Sequence, residues 1–328
     1  MKRLGQLKSA TLAFAAAALI ATLSQRAQAQ EIYPNRTIRL IVGFAAGGGN
    51  DLIARILAQE LQTSLGQAVV VENKVGAGGR VSADYVKQQP ADGYTLLIGA
   101  SGAMAISVAV AEKLPYNTLR DFVPISMAAE FPLLMVVNPD SPAKTVKEFV
   151  AWAKANPEKS NYGTSSVGFT LATELFKLKS GAPIQAIPYK SGNEMVLGVI
   201  GGQSSMTIVD PPPAIPQIEG GKLRALAVTA SKRMVELPDV PTMEEAGFPD
   251  VHVGLWSGVF APANTPTPIV KKLEAEIQRI MQKPDVRQKF RAMATDAVGN
   301  TSEQFKIDIE RETKMWRGVA DAANLKLE

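Results

Sequence analysis

The sequence predicts an α/β protein of two lobes, and three observations carry that reading. Short, continuously apolar strands alternate with amphipathic helices, the pattern of sheets covered on both faces. The rhythm changes segment near Ala128–Leu133 and returns near Asp250–Gly254, so the chain is expected to cross between lobes twice. The length of 328 residues favours about two domains. The expected organisation is a first lobe of 30–129 with 252–328 and a second of 130–251. Each lobe would hold a mostly parallel sheet flanked by helices, with a ligand cleft at the hinge between them.

The elements follow in order. Thr37–Phe44 (TIRLIVGF) reads as a buried strand, Ala45–Asn50 as a loop and Asp51–Leu65 as a helix. Ala68–Glu72 and Tyr94–Gly99 are the next strands, with a Gly-rich loop at Val75–Arg80 and helices to Gln89 and to about Glu112. Ile125–Val137 holds two apolar stretches broken by Glu130-Phe131-Pro132. A helix over Thr145–Ala155 and a strand at Ser160–Gly163 precede a Ser/Gly loop and a helix from Gly168 to Leu178. Ile184–Tyr189, Met206–Val209 and Leu223–Thr229 read as strands with helices between them. The triple proline Pro211–Pro213 is expected to hold extended backbone before a helix around Ala214–Glu219. Val251–Phe260 reads as a strand returning to the first lobe, followed by helices at Pro268–Lys283, Pro284–Ala294 and Ser302–Ala323. Lys271, Lys272, Glu274 and Glu276 are expected to form a solvated face on the first of these.

Composition excludes several chemistries. The chain has no cysteine, so disulfides, thiolate metal sites and cysteine nucleophiles are absent. Its one histidine, His252, lies in the apolar run VHVGLW, where a structural role is expected, so no metal site or cofactor is expected. The formal charge of +4 belongs to the first 29 residues, which carry Lys2, Arg3, Lys8 and Arg26 and no acid. The remainder is neutral, which removes the case for nucleic acid. A positive start, an apolar run from Ala10 to Leu23 and the close Ala27-Gln28-Ala29 form a secretory signal, with cleavage expected after Ala29. An exported protein without a cysteine to lipidate suits the periplasm, and a monomer of two lobes is expected.

Two loops carry the strongest ligand signal. Phe44, Ala45, Gly48, Gly49, Asn50 and Asp51 lie where a strand turns into a helix, a design that offers backbone N–H groups and a positive dipole end to an anion. Neither the P-loop nor the dinucleotide spacing is present there. A plain turn with Asn50 or Asp51 as the N-cap is the competing reading. Ser165, Ser166, Val167, Gly168 and Thr170 repeat the design in the second lobe, and Ser101 and Gly102 form a third, weaker candidate. Asp210 ends an apolar strand where α/β sheets bind ligands. It would accept a hydrogen bond from a ligand amine or hydroxyl, or else cap the next helix. Phe44 and Trp256 are candidates for the cleft wall, with plain core as the alternative. Serine catalysis is not supported. Gly163–Gly168 is one residue too long for the nucleophile elbow, and Ser141-Pro-Ala-Lys144 lacks the motifs that accompany S-x-x-K.

Seven segments in order carry a family resemblance: IRLIVGFAAGGGNDLIAR (Ile38–Arg55), VVVENKVGAGG (Val69–Gly79), ADGYTLLIG (Ala91–Gly99), YGTSSVGFTLATELF (Tyr162–Phe176), IPYKSGNEMVLGVIGGQ (Ile187–Gln203), GKLRALAVTASKRMVELPDVPTMEEAG (Gly221–Gly247) and WSGVFAPANTP (Trp256–Pro266). Together they resemble the substrate-binding proteins of the tripartite tricarboxylate transporters, the TctC or Bug receptors. The resemblance implies a two-lobed periplasmic-binding-protein fold of type II-like organisation, closing on a small organic acid. It implies that the loops at Phe44–Asp51 and Ser165–Thr170 grip a carboxylate. It also implies delivery to membrane permease subunits of the TctA/TctB type and no enzymatic activity. Alternatives are a sensor that docks on a membrane kinase, or an exported hydrolase. The family usually has proline where this chain has Gly43 and Ala46, and an acid where Ser205 stands, so a more flexible first loop is expected, and the resemblance does not carry over the identity of the ligand.

Overall fold

The computed structural model describes residues 33–111 and 113–323, and the signal segment at 1–29 lies outside them. The chain begins with β1 (Ile38–Val42), α1 (Gly49–Leu65), β2 (Val69–Asn73), α2 (Arg80–Lys87) and β3 (Thr95–Ala100). A π-helical turn (Gly102–Ile106) leads into α3 (Ser107–Val110) and α4 (Thr118–Asp121), and then the long β4 (Phe122–Pro132). There follow β5 (Leu134–Val137), α5 (Val146–Ala155), β6 (Asn161–Thr164), α6 (Val167–Ser180), β7 (Gln185–Pro188), α7 (Gly192–Ile200), β8 (Met206–Val209), α8 (Pro211–Glu219) and β9 (Arg224–Val228). The chain ends with β10 (Gly254–Pro262), α9 (Thr267–Met281), α10 (Pro284–Arg291), β11 (Asp296–Ala297) and α11 (Ser302–Ala322).

Two sheets result. The first has the order β11-β4-β10-β3-β1-β2 and the second β7-β6-β8-β5-β9. Parallel pairing joins β2, β1 and β3 in one sheet and β7, β6 and β8 in the other. The strands next to the crossings run antiparallel. β10 opposes both β3 and β4, and β5 opposes both β8 and β9. Both sheets are therefore mixed rather than mostly parallel, because a chain that leaves a sheet and later returns brings its crossing strands back in the reverse sense.

Successive strand residues face opposite sides, which explains why the strands read as unbroken apolar runs. Leu40, Leu96, Ile98 and Val259 pack with Leu57 of α1 and Ile277 of α9 on one face of the first sheet. Ile41, Leu97 and Phe260 pack with Val86 of α2 and Phe305 of α11 on the other. Met135, Val137, Met206 and Ile208 bury one face of the second sheet, and Leu134, Val136 and Val209 the other. Trp256 is buried in the first-sheet core, and its Nε1 donates to Glu312 at 2.8 Å, so it is core and not cleft wall.

The crossings lie at Leu133, between β4 and β5, and ahead of Gly254. Buried Thr229 joins them. Its Oγ1 accepts from the Leu133 N–H at 2.8 Å and donates to the Val253 carbonyl, while its own N–H donates to Leu133 O at 2.9 Å.

Three expectations are corrected. The prolines do not precede a helix but open one: α8 starts at Pro211. First-turn N–H groups have no intrahelical acceptor, so prolines there forfeit nothing. His252 precedes its strand and is exposed, because β10 begins only at Gly254. Glu274 is buried, accepting from Lys271 Nζ at 2.8 Å and from the Ser302 N–H, because the start of α11 folds over that side of α9.

Candidate functional site

The first loop is organised by one carboxylate. Asp51, in the first turn of α1 and fully buried, accepts from the Gly47 N–H at 2.8 Å, Asn73 Nδ2 at 2.8 Å and Arg55 Nε at 2.8 Å. Asn73 Nδ2 also donates to Phe44 O at 2.9 Å, so β2 holds both ends of the loop. Burial works against the charged form of Asp51, but hydrogen bonds from Arg55, Asn73 and Gly47 outweigh it and hold the pKa below the usual carboxylate range. Gly47 turns the chain at φ +81°. Gly43 is required by close approach: a Cβ there would lie 2.5 Å from Gly79 Cα.

The N-cap of α1 is Gly48, which has no side chain to offer, so the first-turn N–H groups face outward without a cap. The second loop reaches the same state differently. The N-cap of α6 is Ser166, yet its hydroxyl does not cap the helix. The loop is held instead by Thr170, whose Oγ1 donates to Ser166 O at 3.0 Å and lies 2.7 Å from Thr164 Oγ1. By contrast Thr145, Ser191 and Thr301 each cap their helices with a side-chain oxygen. Side-chain caps are also absent at α2, α3, α8, α9 and α10, so the missing cap by itself does not distinguish α1 and α6.

Both free ends open on one cavity of about 1300 Å³. Of the residues expected at a site, Phe44, Ala45, Gly48, Gly49, Asn50, Ser101, Gly102, Ser165, Ser166, Val167, Gly168 and Asp210 line it. Asp51 and Thr170 do not. They stand behind the two loops and shape them. Ser101 is buried, and its Oγ accepts from the Trp256 N–H at 3.3 Å. Asn50 Oδ1 accepts from Ser257 Oγ, which ties the first loop to β10. Ser205 is away from the cavity, where it joins the Asn161 backbone as an ordinary inter-strand clasp.

The sequence reading missed part of the wall. Leu255 and Phe169 supply apolar surface, and Arg80, Lys190 and Arg291 bring cations. Lys190-Ser191-Gly192 repeats the strand, small residue, helix design and was detectable on that ground. Arg291 arrives from α10, remote in sequence, and no local signal marks it. Asp210 is extended and makes no side-chain cap. Burial raises its pKa to about 6, opposed by its own backbone N–H.

Comparison with known proteins identifies the setting. The family model described as "Tripartite tricarboxylate transporter family receptor" matches residues 53–325. Protein BugT of Bordetella pertussis is 38% identical over 300 residues, which cover 90% of this chain and 92% of that protein. The solved structure of R. palustris Rpa4515 with adipate is similar at 34% identity and a TM-score of 0.81, covering 90% of this chain and 99% of that one. MatC from Rhodopseudomonas palustris with bound malate is similar at 30% identity and a TM-score of 0.76, covering 88% and 99%. The chain belongs to the receptor family of the tripartite tricarboxylate transporters, which is a family of periplasmic binding proteins and not an enzyme class.

Proposed function

We propose that this protein, freed of residues 1–29, is a monomeric periplasmic receptor that captures a small carboxylic acid between its lobes. The lobes are 30–129 with 252–328, and 130–251. The observation that carries the reading is the pairing of two uncapped helix N-termini, at Gly48 and Ser166, on one cavity. Each end adds partial positive charge and unpaired donors, typically ~0.3–1 kcal/mol per interaction and more when partly buried. A ligand that bridges both loops stabilises the closed form by its differential affinity for it. The adipate and malate held by structural neighbours support an organic acid as the ligand. The loaded receptor then delivers it to permease subunits of the TctA/TctB type.

A thermal-shift screen of small carboxylic acids tests this. A ligand at 100 times its dissociation constant stabilises by about 2.7 kcal/mol. Gly168→Val is expected to abolish the shift while folding normally, because a Cβ there meets Leu255 and Ile106 only at ordinary contact distances of 3.4 and 3.6 Å. A normal shift in that variant would count against the two-loop site.

A further inference from the structure

We propose that Asp210 makes the cavity selective for carboxylic acids that also carry a hydrogen-bond donor, a hydroxyl or an ammonium group. The proposal rests on the receptor reading above and names the ligand class of that same cavity.

Asp210 stands at the C-terminal end of β8 and lines the cavity shared by the two anion-binding loops. Asp210 is half-buried, its side chain makes no helix cap, and its own backbone N–H is the hydrogen-bond donor that meets it. Gly192, at the start of α7, leaves it room: a Cβ there would lie 3.0 Å from Asp210 Oδ1. The charged groups that line the same cavity are Arg80, Lys190, Arg291, Glu219 and Glu236. None of them governs Asp210, whose shift arises from burial. The Glu194 carboxylate, on α7, accepts from the Lys190 N–H at 3.0 Å, and the Glu194 N–H donates to Ser191 Oγ.

A half-buried carboxylate with only a backbone donor is costly to keep ionised. A ligand hydroxyl or ammonium supplies that donor, and a site built to receive one discriminates against analogues that lack it. A second ligand carboxylate at the same place would instead meet like charge and bind only the protonated form of Asp210. The two cases have opposite pH signatures. With a donor ligand, affinity rises as pH passes upward through about 6, where free Asp210 ionises, and then levels off. With a dicarboxylate, affinity falls over the same interval.

The test is calorimetric titration with matched acids that differ only at the far end: succinate, 4-hydroxybutanoate and 4-aminobutanoate; adipate, 6-hydroxyhexanoate and 6-aminohexanoate; terephthalate, 4-(hydroxymethyl)benzoate and 4-(aminomethyl)benzoate. The expected result at pH 7.5 is that a hydroxy or amino acid of at least one set binds 10-fold or more tighter than its dicarboxylate. Asp210→Asn reduces that ratio to less than 3-fold. Should that variant fold poorly, the pH profile of the unaltered protein between pH 5 and 7.5 decides, since its sign separates the two ligand classes. Equal or tighter binding of the dicarboxylates, or a ratio retained in Asp210→Asn, overturns the proposal and leaves the receptor reading standing. Failure of every acid in the three sets to bind overturns this proposal, while the receptor reading is decided by the wider thermal-shift screen.

Discussion

Asp51 shapes the first loop without lining the cavity. Its carboxylate gathers Gly47, Asn73 and Arg55, and so fixes a loop whose glycines would otherwise sample many conformations. Asp51→Ala leaves buried donors unmet and is expected to cost about 1–3 kcal/mol in urea unfolding, with ligand affinity lost as well. The sequence offered this residue as a ligand contact or, in the competing reading, as an N-cap, and it does not line the cavity. The actual role depends on Asn73, 22 positions away, a partner that no local pattern reveals. Two other acids set a pH trend. Burial raises Asp210 to about 6 and Glu312 to about 7, the latter opposed by the Trp256 N–H and reinforced by Glu130. Both bind protons more tightly folded than unfolded, so stability is fullest below their unfolded values and declines as pH rises from about 4 to 7. Chemical unfolding across that range should show the decline, and Glu312→Gln should flatten its upper part.

At the scale of elements, the helix starts differ in what their first turns bond to. Thr145 caps α5 by accepting from the Glu148 N–H at 3.2 Å, and Thr145→Ala is expected to cost about 1 kcal/mol with ligand binding unchanged. Ser166 caps nothing, so Ser166→Ala should leave the melting temperature where it is. A loss comparable to that of Thr145→Ala would show that Ser166 is an ordinary cap and would remove half of the proposed anion site. Strand and helix positions were largely legible, because apolar runs and periodicity are local. The start of α8 was misjudged because three prolines read as extended backbone, whereas the first helical turn has no acceptor for N–H groups and tolerates their loss. The burial of Glu274 was illegible for another reason: α11, which covers it, lies some thirty residues further along the chain.

At the scale of the molecule, two features join the halves. Thr229 ties the crossing at Leu133 to that at Val253, so Thr229→Val should cost about 1–3 kcal/mol in urea unfolding, the typical penalty for an unmet buried group. An unchanged midpoint would show that the two crossings are independent. α11 acts as a strap: Phe305 and Ile309 pack in the first-sheet core, while Trp316, Val319 and Ala320 pack in the second. The double crossing was legible because the strand rhythm shifts twice. The strap was not, because one amphipathic helix carries no mark of which core each turn enters.

A crystal structure of the protein with an acid that stabilises it bears most directly on how the ligand is held. Carboxylate oxygens should lie within hydrogen-bond reach, direct or through one water, of the backbone N–H groups at Gly49–Asp51 and at Val167–Phe169. A ligand carboxylate paired with Arg80 or Arg291, with both helix starts facing solvent, would contradict capture by the uncapped helices.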